Sequence, residues 1–288
     1  MTQWITIALL VIAVLAVFFL TVMVIDGNRF HVVEYRLNSD KIKKEHHFVV
    51  LSDLHNKSYG EKNRKLLERI DKLAPEAILI AGDMLTSKPG KSYEVAMDLL
   101  KELAKKYPIY YGMGNHETRL FLYPEVYGDM GKDYEKDLND VSIQLMRNES
   151  REESDNFRII GLDMKRDYYK RFKKYPMDSG YLRETLGEAQ KDKYEILLAH
   201  NPDYFEEYAA WGADLVLSGH VHGGIMRLPV LGGVISPKLV LFPKYDGGHF
   251  IRKDAHMVLS RGLGMHTIPI RIFNPAELVL IHLKPCKS

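Results

Sequence analysis

Five short segments each place metal-binding side chains at the end of an apolar run: Asp53-Leu54-His55, Gly82-Asp83, Gly114-Asn115-His116-Glu117, Ala199-His200-Asn201 and Gly219-His220-Val221-His222. Any one of them occurs by chance in many chains, but all five in this order amount to a dinuclear metal site. Two divalent cations held close together repel each other. Such a site therefore needs an anionic bridge, and a single carboxylate such as Asp83 can bind both ions. Imidazoles and oxygen donors fill the other positions. Four His nitrogens, two carboxylates and one amide, with no thiolate, suit Mn, Fe, Zn or a mixed pair better than Ca or Mg alone. A lone His on an apolar strand is more often structural than a ligand. The joint pattern reverses that for His55, His200, His220 and His222.

These side chains need elements that bring them to one place. Short apolar runs at 47–51, 77–81, 109–111, 196–199 and 215–217 read as strands buried on both faces. Each leads into one of the five segments, and the carboxyl ends of such strands are where open α/β sheets place their active sites. Leu66, Leu67, Ile70, Leu73 and Ala74 repeat at helical spacing before Pro75, and Tyr93, Ala96, Leu99, Leu100 and Leu103 do so before Pro108. Further apolar runs at 157–162, 257–259 and 278–283 are expected to supply a second sheet. The expected architecture is α/β, two sheets face to face and flanked by helices. Gly82, Gly114 and Gly219 are expected to let the backbone turn sharply before a ligand.

The chain has 288 residues, within the range of one α/β sandwich. With 40 Lys and Arg against 38 Asp and Glu it has no global basic field, so nucleic acid is not an expected partner. Cys286 is the single cysteine, which excludes an intramolecular disulfide. The uncharged stretch Ile5 to Ile25 matches the roughly 20 residues a helix needs to cross a bilayer, with Trp4 at one interface. It has neither the basic start nor the cleavage site of a signal peptide and reads as an uncleaved anchor. Arg29, Arg36, Lys41, Lys43 and Lys44 follow the span and no Lys or Arg precedes it, which favours a single pass in the cell membrane with the rest cytoplasmic. The expected organisation is an anchor at 1–28, a linker at 29–45 and a catalytic domain at 46–288.

The five segments resemble the pattern of the calcineurin-like metallophosphoesterases, over roughly residues 46–284. The resemblance implies a first metal on Asp53, His55 and His222, a second on Asn115, His200 and His220, and Asp83 between them. It also implies that His116 is catalytic, facing the substrate and assisting the leaving oxygen, and that a metal-activated water hydrolyses a phosphodiester or pyrophosphate bond. His222-Gly223-Gly224, Pro229, Lys244-Tyr245, Gly247-Gly248, Ser260-Arg261-Gly262-Leu263-Gly264 and Pro269-Ile270-Arg271 resemble the membrane-anchored bacterial branch, which includes enzymes similar to UDP-2,3-diacylglucosamine pyrophosphatases. That branch, with the anchor, implies a membrane-associated or lipid-linked substrate. The run from Lys165 to Tyr175 is dense in basic and aromatic residues and could rest on anionic headgroups, hold a phosphorylated substrate or be a solvated face. His249 could reach substrate, although a loop His is the default. Two other functions fit the same fold: a protein-binding scaffold without catalysis, and a phosphodiesterase acting on soluble or nucleic-acid substrates.

Overall fold

The computed structural model of the chain describes residues 2–153, 156–170, 174–228, 230–236, 240–265 and 269–286. Pro229 and the Arg171, Phe172 and Lys173 part of the basic run lie outside them. The strands are β1 (Phe30–Ser39), β2 (His46–Leu51), β3 (Ala77–Ala81), β4 (Ile109–Gly112), β5 (Leu145–Met146), β6 (Glu149–Glu152), β7 (Phe157–Gly161), β8 (Tyr194–Leu198) and β9 (Leu215–Ser218). They continue with a hairpin of β10 (Met226–Leu228) and β11 (Gly232–Ile235), then β12 (Gly248–Arg252), β13 (Ala255–Leu259) and β14 (Ala276–Pro285). One sheet has the order β1-β14-β2-β3-β4-β5 and the other β12-β13-β9-β8-β7-β6. Of the strands that lead to the five segments, β2, β3 and β4 run parallel to one another in the first sheet and β8 runs parallel to β9 in the second.

Side chains alternate along each strand with period two, which builds a layered core. In β3, Ile78 and Ile80 face the helices while Ala77, Leu79 and Ala81 face the other sheet. In β9, Leu215 and Leu217 face the first sheet and Val216 the helices on the far side. The helices are α1 (Thr2–Asn28), α2 (Arg64–Leu73), α3 (Glu94–Ala104), α4 (Asn115–Leu122), α5 (Pro124–Tyr127), α6 (Met130–Asn139), α7 (Tyr181–Leu186) and α8 (Phe205–Trp211). α2, α3, α4 and α6 pack on the first sheet through Leu66, Ile70, Leu99, Leu120 and Leu138, and α7 and α8 on the second through Leu182, Phe205 and Tyr208. The result is the expected pair of sheets between helical layers. α2 stops before Pro75, with Ala74 turned into the left-handed region at φ 45°.

Two expectations change. Residues 278–283 join the first sheet and not the second: β14 runs antiparallel to β2, with Ile281 opposite Phe48. The run is apolar on both faces, so nothing local tells which of two sheets will take it. Residues 29–45, expected as a linker, contain β1, which lies parallel to β14 with Val32 opposite Leu278. This is an edge strand whose exposed Glu34 and Arg36 break up its apolar pattern.

α1 is long and apolar enough to cross a membrane, and its apolar side chains are exposed. Its last turn is not. Asp26 is buried and accepts hydrogen bonds from the Asn274 backbone N–H (2.9 Å) and from Arg29 (2.8 Å). Asn274 in turn donates through Nδ2 to the carbonyls of His222 and Gly224, both at 2.8 Å. Farther up the helix, the rings of Phe18 and Phe19 each lie 6.3 Å from that of Phe273.

Candidate metal centre

The carboxyl ends of five parallel strands converge on one point between the sheets. Asp53 and His55 follow β2, Asp83 follows β3, Asn115 and His116 open α4 after β4, His200 follows β8, and His220 and His222 follow β9. Backbone bonds lock these loops together: Asp53 N–H donates to Gly82 O (3.0 Å), His55 N–H to Asp83 O (3.1 Å) and Gly219 N–H to His200 O (3.1 Å). Asp53, His55, Asp83, His220 and His222 all have positive φ, between 48° and 75°. Each such non-glycine residue costs about 1–2 kcal/mol, and strain of this kind persists where the surroundings over-determine it. The sharp turns expected at the preceding glycines are thus made largely by the candidate ligands. Gly82 does adopt φ 89°, whereas Gly219 supplies room, since a Cβ there would collide with Ser52 Oγ and the Asp53 carboxylate.

The donor atoms fall into two groups joined by a third. Those of Asp53, His55 and His222 lie within 4.8 Å of one another, as do those of Asp83, His200 and His220, and those of His55, Asp83 and His116, which share a member with each. His222 Nε2 stands 3.2 Å from Asp53 Oδ1 and 3.1 Å from His55 Nε2. His200 Nε2 is 3.0 Å from Asp83 Oδ2 and 3.7 Å from Asp53 Oδ1, which spans both groups. Burial pushes both carboxyls up, but the imidazoles around them, His222 beside Asp53 and His200 beside Asp83 foremost, hold each below the ordinary range. Burial also works against charge on His200, yet the Asp83 and Asp53 carboxylates push it up to about 10. Burial depresses His55 to about 3.

The residues fit a pair of divalent ions. Asn115 Oδ1 is buried with no hydrogen-bond partner among the described residues, an omission worth about 1–3 kcal/mol that a cation would relieve. His200 Nδ1–H donates to Ala81 O at 2.6 Å, which fixes the tautomer and turns Nε2 toward the carboxylates. Glu117 braces two of the loops. It is fully buried and accepts from the N–H groups of Asp83 (2.9 Å), Met84 (2.8 Å) and Gly114 (3.1 Å) and from the Tyr111 hydroxyl (2.8 Å). Burial and the Asp83 carboxylate push its carboxyl up to about 7.

His116 lies beside the centre, its ring 4.9 Å from that of His55. Its Nδ1 accepts the Ser87 backbone N–H at 2.9 Å, so Nε2 carries the proton. Sequence reasoning did not single out Ser87, which has no motif of its own. Nor did it single out Tyr169, whose ring is 5.3 Å from His220, or Asn274, which holds the His222 loop. Tyr169 sits inside the basic run, and part of that run borders a cavity of about 280 Å³ lined by Asn115, Thr118, Arg119, Leu122, Arg166, Tyr169 and Lys170. His249 goes elsewhere: it lies on β12 with Nε2 2.8 Å from His256 Nδ1, because strand pairing sets it opposite Val258. Among the other branch-like residues, Arg271 is buried and donates to the carbonyls of Arg261 (2.7 Å) and Gly264 (2.6 Å), holding the loop that meets Asp53.

A family model described as calcineurin-like phosphoesterase matches residues 46–224. Over 253 residues the chain is 27% identical to an uncharacterized metallophosphoesterase of Campylobacter jejuni, covering 84% of this chain and 60% of that one. It is 26% identical over 244 residues to a Danio rerio transmembrane protein with metallophosphoesterase domain, covering 82% of this chain and 52% of that protein. The chain therefore spans only about half to three fifths of the length of these relatives. Among solved structures, a phosphopantetheinyl hydrolase of Mycobacterium tuberculosis is similar with a TM-score of 0.42 and 13% identity, covering 77% of this chain and 89% of that one.

Proposed function

The chain belongs to the calcineurin-like phosphoesterase family, and from that premise we propose that it is a membrane-anchored hydrolase of phosphodiester or pyrophosphate bonds. It works with two divalent ions, Mn, Fe or Zn, on a lipid-linked or membrane-associated substrate. The observation that carries this reading is the convergence of two donor groups around buried carboxylates, with Asn115 Oδ1 lacking any other partner among the described residues. In this reading Asp53, His55 and His222 would hold one ion and Asn115, His200 and His220 the other, with Asp83 available to both. When bound, the ions supply positive charge against the phosphoryl oxygens and an acidified water.

The chain's own residues do the rest. His116 presents its Nε2–H to the leaving oxygen, held in that tautomer by Ser87. The Arg119 and Arg166 guanidiniums and the Lys170 ammonium line the adjoining cavity and hold negative charge that the substrate carries beyond the reacting phosphorus, a task for which the guanidinium fork is well shaped. α1 is the one helix among the described residues long and apolar enough to span a membrane, and the basic residues Arg29, Arg36, Lys41, Lys43 and Lys44 after it support a cytoplasmic catalytic domain. The test is metal content and hydrolysis of bis-p-nitrophenyl phosphate by the detergent-solubilised full chain, with and without added Mn²⁺, beside His116→Ala. Bound metal in both proteins and turnover only in the unaltered one is the expected result. No metal and no hydrolysis would move the function to a protein-binding scaffold.

A further inference from the structure

Outside α1, the large apolar side chains that stand exposed among the described residues are concentrated in one region. Seven of these eleven lie within 228–242 or at Phe273, with Val230, Leu231, Leu241 and Phe242 the most exposed. They are joined in space. The 240–242 segment folds back on β11, where Phe242 N–H donates to Val234 O at 2.9 Å, and β10 is tied to the stretch before Phe273 by Arg227 N–H donating to Ile272 O at 3.0 Å. Phe273 in turn meets Phe18 and Phe19 of α1. An apolar surface thus continues from the exposed helix onto the hairpin. Exposed patches of this kind mark an interaction surface.

The levels along α1 agree with a bilayer as the occupant. Phe18 is ten residues before Asn28, roughly 15 Å at a helical rise of 1.5 Å per residue. At the Asn28 end lies a groove of about 540 Å³ lined by Arg29, Lys65, Arg69 and Lys72, with Glu68 as its one acidic residue. Apolar side chains at one level and cations one headgroup layer below match the two zones of a membrane interface.

We propose that the β10–β11 hairpin, the 240–242 return and Phe273 form a second membrane-contacting element, which enters the bilayer beside α1. The hairpin begins just after the loop that carries His222, Gly223 and Gly224, so the element is next in the chain to the candidate metal centre. The inference rests on the reading of α1 as a membrane anchor.

The test uses the full chain with Cys286→Ser, a nitroxide on Leu231→Cys or Phe242→Cys, and Val126→Cys on α5 as control. Each protein is reconstituted in phosphatidylcholine with phosphatidylglycerol. Power saturation compares collision with oxygen, which concentrates in hydrocarbon, and with a water-soluble nickel chelate. Oxygen should exceed the chelate several-fold at positions 231 and 242, with the order reversed at 126. Chelate collision at 231 and 242 equal to that at 126 would overturn the proposal. Dipolar broadening with both reagents excluded would also overturn it, by showing a second copy on the patch. Extraction of the unlabelled chain by alkaline carbonate would overturn the anchor reading and this one with it; an anchored chain with water-exposed labels overturns this one alone.

Discussion

Asn274→Asp isolates the hydrogen bonds that hold the His222 loop. Asn274 is fully buried, and its Nδ2 serves two carbonyls, those of His222 and Gly224, at 2.8 Å each. Aspartate has the same shape, so packing is unchanged and only the donors are lost. Each buried carbonyl left without a donor costs about 1–3 kcal/mol, hence roughly 2–6 kcal/mol in all. At about 2–4 °C per kcal/mol for a domain of this size, the midpoint of thermal unfolding should fall by roughly 4–24 °C at neutral pH. The new carboxyl is buried against two carbonyl oxygens, so its folded pKa is raised above the unfolded value. A raised carboxyl favours the folded state at low pH and loses that contribution as pH rises through the folded value, so the defect should shrink on acidification. The loop carries His222, so metal content should fall together with stability. Thermal melts across pH and elemental analysis of the detergent-solubilised protein read both. A midpoint within about 2 °C of the unaltered protein at neutral pH, with metal content unchanged, would refute the reasoning.

Metal binding should release about one proton at neutral pH, because His200, held near 10 in the metal-free protein, must lose its Nε2 proton to become a ligand. Apparent affinity should then rise about tenfold per pH unit below that value; calorimetry in buffers of different ionisation heat checks it, and a pH-independent affinity would count against His200. Arg166→Ser should raise KM about tenfold, roughly 1.4 kcal/mol, for a pyrophosphate substrate while kcat and the KM for bis-p-nitrophenyl phosphate change little; steady-state kinetics on both substrates decide it. Ala74→Gly should stabilise the fold by about 0.5–1 kcal/mol by relieving the left-handed alanine after α2, a rise in the melting midpoint with unchanged turnover.

What could be read from the chain alone was whatever is written in contiguous residues. Each of the five segments carries its donor atoms within a few positions of a strand end, so both the strand and the donors were visible together. The helices ending before Pro75 and Pro108 were legible for the same reason. Partnership across the chain was not. The centre of β14, Leu278 to Ile281, is apolar on both faces and gives no sign that its neighbours are β1 and β2. β1 hid behind the charges of an edge. Asn274 acts on His222 from 52 residues away, and no motif surrounds it. The left-handed backbone of Asp53, His55 and Asp83 was equally invisible, since it follows from the way the loops interlock and not from residue type.

The strut from Asp26 through Asn274 to the carbonyl of His222 ties the last turn of the helix to the candidate metal centre. In a bilayer, such a tie would keep that centre at a constant height while the molecule drifts laterally. For the lipid-linked substrate proposed above, encounter would become a search over an area and not through a volume. The rate would then track the mole fraction of substrate in the surrounding leaflet, and diluting that leaflet with inert lipid would slow turnover even with the total amount of substrate held constant.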